Sequence, residues 1–232
     1  PRTATFITQK LYTYFVSDVP DEQRIAQLSA WFYKSGYNIS GLLERMFTAK
    51  WFYEPALAGA KIKSPVELLV GLQRQFSVAY ANTRSPYILQ RALGQELLQP
   101  PNVGGWPGGR NWIDSSTLAY RLRIGPALLQ DAAVEVYLKS DDDTEPSKPV
   151  KRRQDGLRIA RAKASLVGLE KSLEKVSDEA LVARAGQLLL QVPLKPETEQ
   201  LISQAIPAAA SRTDKIHQIT RYILSLPEYQ LC

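Results

Sequence analysis

The 232-residue chain is 44% hydrophobic, has a formal net charge of +6 at pH 7, and contains one cysteine and one histidine. Its length fits one large domain or two small ones, and its apolar content is enough to bury a sizeable core. The single cysteine excludes an internal disulfide, and no apolar run approaches the roughly 18 residues of a membrane span.

Helical periodicity dominates the N-terminal part of the chain. An apolar stripe rich in aromatic residues predicts a first helix over residues 5–16, and Asp21 can cap a second. Asn38 or Ser40 opens a third helix. Residues 64–67 (Ser-Pro-Val-Glu) predict a further helix start, because they combine a capping serine, a proline in the first turn and the glutamate of a capping box.

A helix opened by Ser85 and Pro86 runs to about Gln99, where the character of the chain changes. Residues 100–112 are Pro-Pro-Asn-Val-Gly-Gly-Trp-Pro-Gly-Gly-Arg-Asn-Trp. Two prolines stop the helix, and four glycines permit tight or left-handed backbone. This stretch is called the Gly/Trp loop below.

After the Gly/Trp loop, Asp114 caps a helix that Gly125 closes, and Pro126 begins another that reaches about residue 139. The polar, charge-blocked residues 140–153 predict an exposed, mobile loop. Four helical segments follow, at 157–175, 178–190, 197–205 and 213–226, with Thr213 or Asp214 as the cap of the last.

Together these elements predict an all-α fold with nine or ten helices in an irregular orthogonal array. Strict period-two alternation is absent, although short β pairs in the loops stay open. We expect a single domain over residues 1–232. The start at Pro1, without a methionine or an apolar leader, indicates either a removed targeting segment or part of a longer protein.

Several catalytic classes are excluded for this stretch of chain by its composition. A Ser-His-Asp triad, a Cys-His pair and a zinc site all need more His or Cys residues than His217 and Cys232 supply. The Gly/Trp loop lacks the Lys-Ser/Thr of a P-loop and follows a helix instead of a strand. We therefore expect no metal and no cofactor, and we place His217 on a helix surface or at a packing edge.

A pair of carboxylates for acid/base chemistry stays open, since it needs only two acidic residues at a suitable separation. Glu67, Glu96 and Asp114 lie near the Gly/Trp loop in sequence or on neighbouring helices. Capping explains Glu67 and Asp114, and Glu96 is either solvated or paired with an arginine.

Most of the excess positive charge lies between Lys151 and Lys175, where eight basic residues face three acidic ones. Nucleic-acid binding by this segment is the less favoured interpretation, because no aromatic residues are interleaved with the charges. An amphipathic helix with a solvated basic face accounts for the pattern better.

The Gly/Trp loop offers the candidate ligand-binding residues, which are Trp106, Trp112, Asn102, Arg110 and Asn111. Exposed indole rings beside Asn and Arg donors can hold a sugar, with the apolar face of the ring on the indole and its hydroxyls on the polar groups. The favoured alternative is that both tryptophans fold back and fill the core where helices diverge.

Successive blocks of this sequence resemble the bacterial domain of unknown function 1800 family. The blocks are RTATFITQKLY (2–12), KIKSPVEL (61–68), GQ (94–95), QPPNVGGWPGGRNW (99–112) and LPEYQ (226–230). They occur in order from end to end, and the block at 100–109 is highly specific, whereas residues 140–175 show the least resemblance.

The resemblance implies that this chain is the C-terminal part of a longer, exported protein in the periplasm or outside the cell. It also implies a partner encoded alongside, a protein that looks like a sulfatase or phosphatase. No catalytic residues can be carried over. We therefore expect a binding or scaffold protein without a catalytic site of its own in this stretch, with glycan binding or processing through the Gly/Trp loop as the alternative.

Overall fold

The computed structural model describes residues 1–137 and 157–232. The described residues form ten α-helices, several 3-10 turns and two antiparallel sheets of two strands each. The predicted all-α fold with minor β pairs is therefore confirmed. The predicted loop at 140–153 lies outside the described residues.

The bounds of the elements are as follows. The helices are α1 (Arg2–Phe15), α2 (Glu22–Lys34), α3 (Ile39–Phe47), α4 (Pro65–Gln75), α5 (Arg84–Leu93), α6 (Ser115–Leu129), α7 (Val167–Leu173), α8 (Leu181–Leu189), α9 (Pro196–Ala205) and α10 (Arg212–Leu224). The strands are β1 (Ala79–Tyr80), β2 (Val134–Tyr137), β3 (Leu157–Ala160) and β4 (Ala162–Lys163). Strand β1 pairs with β4, and β2 pairs with β3.

The chain divides into two compact units. Unit 1 comprises Pro1–Ile62 together with Leu231–Cys232, and unit 2 comprises Lys63–Gln230. Each unit has its own cluster of buried hydrophobic side chains. The expectation of one domain over residues 1–232 stays a prediction.

Unit 1 is a packing of three helices, and the second and third are capped as the sequence predicts. Asp21 accepts the backbone N–H of Arg24 at the start of α2, and Asn38 accepts that of Gly41 at the start of α3. Helices α1 and α2 pack against each other, and the buried cluster includes Tyr12. Its other members are Ala4, Val16, Ile25, Leu28, Phe32, Leu42 and Met46.

Unit 2 is built around an aliphatic core drawn from seven of its helices and from its short strands. Helix α4 starts with the predicted capping box, in which Ser64 accepts the Glu67 N–H and Glu67 accepts the Ser64 N–H. Helices α6 and α10 approach closely: a Cβ added at Gly125 would lie 2.8 Å from the Cβ of Leu224. Gly125 is thus required by helix packing and does not end the helix.

The prediction that one helix ends at Gly125 and another begins at Pro126 is therefore wrong. Helix α6 continues through Pro126 to Leu129, and the predicted second helix to about residue 139 is replaced by strand β2. A proline inside a helix removes one backbone donor and bends the helix, but packing on both sides can hold the helix together.

The predicted helix over 157–175 is also wrong in its first half. Residues 157–160 form β3 and pair with β2, so that Val136 and Ala160 are buried while Ile159 is exposed. The helical part is confined to α7. Period-two burial in a stretch of only four residues is too short to outweigh the helical pattern around it.

Two helix ends differ from prediction by shorter distances. Helix α5 ends at Leu93, because Gly94 adopts a left-handed conformation with φ of 85° and caps it. Helix α10 is capped by Ser211, whose hydroxyl accepts the Asp214 N–H, and neither Thr213 nor Asp214 is the cap.

Candidate functional site

The Gly/Trp loop and the residues leading into it are anchored at their N-terminal side by side-chain amides. Gln95 Oε1 accepts the backbone N–H of Val66 in the first turn of α4 at 3.0 Å. Gln90 Oε1 on α5 accepts the N–H of Leu97 at 3.2 Å. These two bonds tie the entry of the loop to two helices of unit 2.

The C-terminal side of the loop is anchored by Trp112 and Asp114. Trp112 lies in a 3-10 turn (Gly109–Trp112), its side chain is buried, and its carbonyl accepts the hydroxyl of Thr117 at 3.1 Å. Asp114 Oδ1 accepts the N–H groups of Ser116 and Thr117 at the start of α6. The loop therefore leaves and rejoins the helical scaffold through fixed polar contacts.

Within the loop, the two asparagines shape the backbone. Asn102 Oδ1 accepts the Gly104 N–H at 2.8 Å, and Asn111 Nδ2 donates to the Gly108 carbonyl at 3.1 Å. A Cβ at Gly104 would lie 3.0 Å from Asn102 Oδ1, and Gly105 has φ of 88°. Gly105 is thus favoured by its left-handed backbone, whereas a side chain at position 104 would require Asn102 to move.

The Gly/Trp loop and the residues between α5 and the loop present apolar side chains to solvent, and these side chains are called the apolar tip below. Leu98 is 93% exposed and Val103 is fully exposed, while Leu97 is about half exposed. Leu98 also has φ of 66°, in the left-handed region that favours glycine. An apolar side chain that is both exposed and in this conformation contributes nothing visible to the stability of the fold.

The five predicted ligand-binding residues fall into two groups. Asn102, Arg110 and Asn111 are exposed, and Trp106 is half-buried. Trp112 is buried and is not available to a ligand in this conformation. The loop thus brings one indole ring and one guanidinium to solvent, not the two rings that the sequence offered.

The three candidate carboxylates have structural partners. Glu67 and Asp114 take part in the predicted capping interactions. Glu96 accepts the hydroxyl of Tyr87 at 2.5 Å and pairs with Arg91 Nε at 3.4 Å. The hydrogen bond to Glu96 raises the pKa of the Tyr87 phenol. The expected alternative of an arginine partner for Glu96 is confirmed.

His217 lies half-exposed on α10, where the sequence analysis expected a helix surface or packing edge. Its Nε2 is 2.7 Å from Glu170 Oε1 on α7. No group of three or more His, Cys, Asp or Glu side chains that could hold a metal ion occurs within residues 1–137 and 157–232. No helix in those ranges is long and apolar enough to cross a membrane.

Only part of the basic segment 151–175 belongs to the described chain, since 151–156 lie outside it. Lys163 lies in the short strand β4, Arg161 directly precedes that strand, and Lys171 lies on α7. The single basic helix face predicted for this segment is therefore wrong in its first half, because strands occupy residues 157–163.

Sequence reasoning missed Arg121, which is 1% exposed and lies on the buried face of α6. The signal was present in the spacing. Thr117, Arg121, Ile124 and Leu128 follow one another at intervals of four, three and four residues, which places an arginine on the inward stripe of the helix.

The fold and the loop together define a class: a helical protein that holds an exposed loop on a buried aliphatic core. A family model described as "Protein of unknown function (DUF1800)" matches residues 1–231, and the chain belongs to that family. A search of curated proteins and a search of solved structures each found no match.

Proposed function

We propose that this chain is a binding module that docks a protein partner through the apolar tip formed by Leu97, Leu98 and Val103, and that it has no catalytic site of its own. The observation that carries the proposal is Leu98, which is almost fully exposed and has a left-handed backbone. Leu97, which precedes it in the chain, and Val103 in the Gly/Trp loop add exposed apolar side chains.

The cost of this arrangement supports a role in binding. A left-handed conformation costs a non-glycine residue roughly 1–2 kcal/mol, and strained residues of this kind concentrate at ligand clamps and recognition loops. Glycine at position 98 would remove the strain and the exposed side chain together. The leucine is therefore better explained by what it contacts in a complex than by the stability of the isolated chain.

The anchoring of the loop supports the same proposal. Because Gln90, Gln95, Trp112 and Asp114 hold both sides, the apolar outer residues are presented with little freedom to collapse onto the surface. A preorganised loop loses less conformational entropy on binding than a mobile one. Anchored apolar side chains of this kind are suited to binding a partner protein.

For the partner and the location, the family resemblance supplies the proposal. The partner is the sulfatase- or phosphatase-like protein encoded alongside, and both proteins act after export in the periplasm or outside the cell. The chain then serves as the binding or scaffold component, and the partner carries the chemistry.

Calorimetric titration of the purified chain with that neighbouring protein tests the proposal. The double variant Leu98→Ser/Val103→Ser should weaken binding by about tenfold or more, since truncated anchor residues dominate interface energies. The matched control is Leu201→Ser on α9, which removes another exposed leucine. Equal affinity of the double variant and the wild type, or no complex with the wild type, contradicts the proposal.

A second candidate is glycan binding, which the partly exposed Trp106 and the exposed Arg110 on the same loop favour. One aromatic face and one guanidinium can hold a single sugar ring. A glycan array probed with the wild type and with Trp106→Ala tests it. Binding that disappears in Trp106→Ala but persists in Leu98→Ser/Val103→Ser would select this function over protein docking.

A further inference from the structure

Arg121 is a buried guanidinium that is only half satisfied. Its Nη1 donates to the Lys63 carbonyl at 3.0 Å and lies 3.4 Å from Gln230 Oε1. Its Nε and Nη2 are buried and have no hydrogen-bond acceptor in the part of the chain that the structure describes. Gln230, which is 4% exposed, leaves its Nε2 donor in the same condition.

The two unsatisfied nitrogens are a matched pair. The Nε–H and the outer Nη2–H of a guanidinium point in parallel from one edge of its plane, which is the edge that binds both oxygens of a carboxylate or two oxygens of a phosphate. The partners of Arg121 are all on Nη1, so the edge that recognises oxyanions is left open. The amide Nε2 of Gln230 adds a third donor from the side chain that already contacts Arg121.

The surroundings of this edge are fixed without a ligand. Gln230 ends a 3-10 turn (Pro227–Gln230), and its carbonyl accepts the Lys63 N–H at 2.8 Å. Lys63 Nζ donates to the Tyr229 carbonyl at 2.7 Å and lies 4.2 Å from the centre of the Tyr229 ring. These contacts hold Gln230 and Lys63 in place around Arg121.

A buried cation whose N–H donors are left partly unpaired is strongly unfavourable. Burial lowers the pKa of Arg121 to about 10, with the nearby carboxylate of Glu67 opposing the shift, so the group is charged at neutral pH. Glu67 itself is exposed, and its Oε2 accepts the Ser64 N–H at 2.6 Å. The Glu67 carboxylate is therefore already engaged in the capping box of α4.

We propose that Arg121 and Gln230 form a buried binding site for a small oxyanion, with a carboxylate as the preferred ligand. The Nε and Nη2 groups of Arg121 would each bind one oxygen, and Gln230 Nε2 would bind one of the two. Lys63 adds positive charge beside the site. The planar carboxylate is preferred over tetrahedral ions because all three donors are fully enclosed.

The first test observes the Arg121 Nε–H resonance by NMR in uniformly ¹⁵N-labelled full-length chain, with Arg121→Lys used to assign the signal. Sodium formate, acetate and sulfate are titrated in turn against chloride at constant ionic strength. We expect a saturable shift of this resonance with formate or acetate and a weaker one with sulfate. A resonance that stays unchanged with all three ions overturns the proposal and leaves an ordered water as the partner.

The second test measures thermal unfolding in the same titrations. Formate at about ten times its Kd should raise Tm by about 3–5 °C, because a ligand at concentration L that binds only the folded state stabilises it by RT ln(1 + L/Kd). In Arg121→Met the response to formate should be lost. Arg123→Met, which removes an exposed arginine two residues away on α6, is the matched control and should keep the response.

A third variant separates an external ligand from an internal one. Glu67→Gln preserves a capping box, because glutamine can also accept the Ser64 N–H. The formate response of Glu67→Gln should equal or exceed that of the wild type. If instead formate shifts the Arg121 resonance only in Glu67→Gln and not in the wild type, Glu67 is the partner of Arg121 in solution and the proposal is wrong.

Discussion

The two units bury different kinds of side chain. Unit 1 holds twelve of the chain's 21 aromatic residues within its first 62 positions. In unit 2, the described buried cluster is aliphatic except for Phe76 and Tyr229. In unit 1, partly buried aromatic rings pack against the buried cluster and extend to the surface.

The surface part of the unit 1 aromatics is stabilised by edge contacts and cations. Phe15, Phe47 and Phe52 contact one another edge-to-face at 5.2 and 5.3 Å between ring centres. Arg24 lies 4.8 Å from the Trp51 ring, and Arg45 lies 4.6 Å from the Trp31 ring. Unit 1 thus relies on ring-edge and cation–π contacts where unit 2 relies on full burial.

The largest expected effect comes from removing one ring from the small core of unit 1. Phe32 is 0% exposed, and Phe32→Ala should destabilise the protein by about 3–5 kcal/mol. Hydrogen exchange should show the loss of protection in α1–α3. Leu89→Ala, with 1% exposure in unit 2, is the counterpart and should affect α4–α6.

The positions at which hydrogen exchange increases in these two variants show whether the two units unfold separately or together. Loss confined to the unit that carries the substitution means that the two units unfold independently. Equal loss of protection throughout the chain in both variants would instead support the single domain that the sequence predicts.

A medium effect is expected from the helix caps. Asp114→Ala removes the acceptor of two N–H groups at the start of α6 and should cost about 1–2 kcal/mol in urea unfolding. Asp21→Ala in unit 1 removes the acceptor of one N–H group and a partly exposed pair with Arg24 Nε at 3.2 Å, and should cost about 1 kcal/mol. Ser115→Ala, at an exposed position next to Asp114, is the control and should change little. A larger loss in Asp21→Ala than in Asp114→Ala contradicts the count of donors.

A smaller effect is expected from the cation on Trp51. Arg24 also pairs with Glu54 at 2.8 Å. Arg24→Met keeps the apolar stem and should cost about 0.5–1 kcal/mol, because these contacts are partly exposed. Thermal unfolding at low and high salt measures it. A loss that is fully abolished by salt would assign the effect to the ion pair alone, and not to the ring.

The smallest effect concerns Asp178 in unit 2, which pairs with Lys215 and Arg212. The hydrogen bond from Lys215, followed by that from Arg212, holds the pKa of Asp178 below its ordinary value. A pKa that is lowered in the folded state stabilises the fold above the unfolded-state pKa, about 3.9. Asp178→Asn should therefore lower Tm at pH 6 and have less effect as the pH falls below 4. A difference that grows in acid would contradict this sign.

Much of the helical architecture could be predicted from local signals. Asp21, Asn38, Ser64 and Asp114 cap helices where the sequence places them, because a cap is a contact within four residues and needs no tertiary information. The strands at 157–163 could not be predicted this way. They depend on pairing with residues twenty or more positions away, and their own composition continues a helical pattern.

For the candidate site, local sequence signals identify the Gly/Trp loop but not which of its side chains are exposed. The Gly/Trp loop was found from its glycines and prolines, which act locally. The exposure of Leu98 and the burial of Trp112 depend on where the chain is anchored, and no local pattern specifies that. Arg121 was overlooked because a charged residue in an apolar stripe is usually taken as an interruption of the stripe.

Two backbone hydrogen bonds join Cys232 to Lys61. The Cys232 N–H donates to the Lys61 carbonyl at 2.9 Å, and the Cys232 carbonyl accepts the Lys61 N–H at 3.3 Å. Cys232 is exposed, and it is the one thiol in the sequence. A fluorophore or spin label coupled through maleimide chemistry would therefore attach at a single defined position. Its mobility would report when the pairing of residues 231–232 with 61–62 opens, without any engineered cysteine.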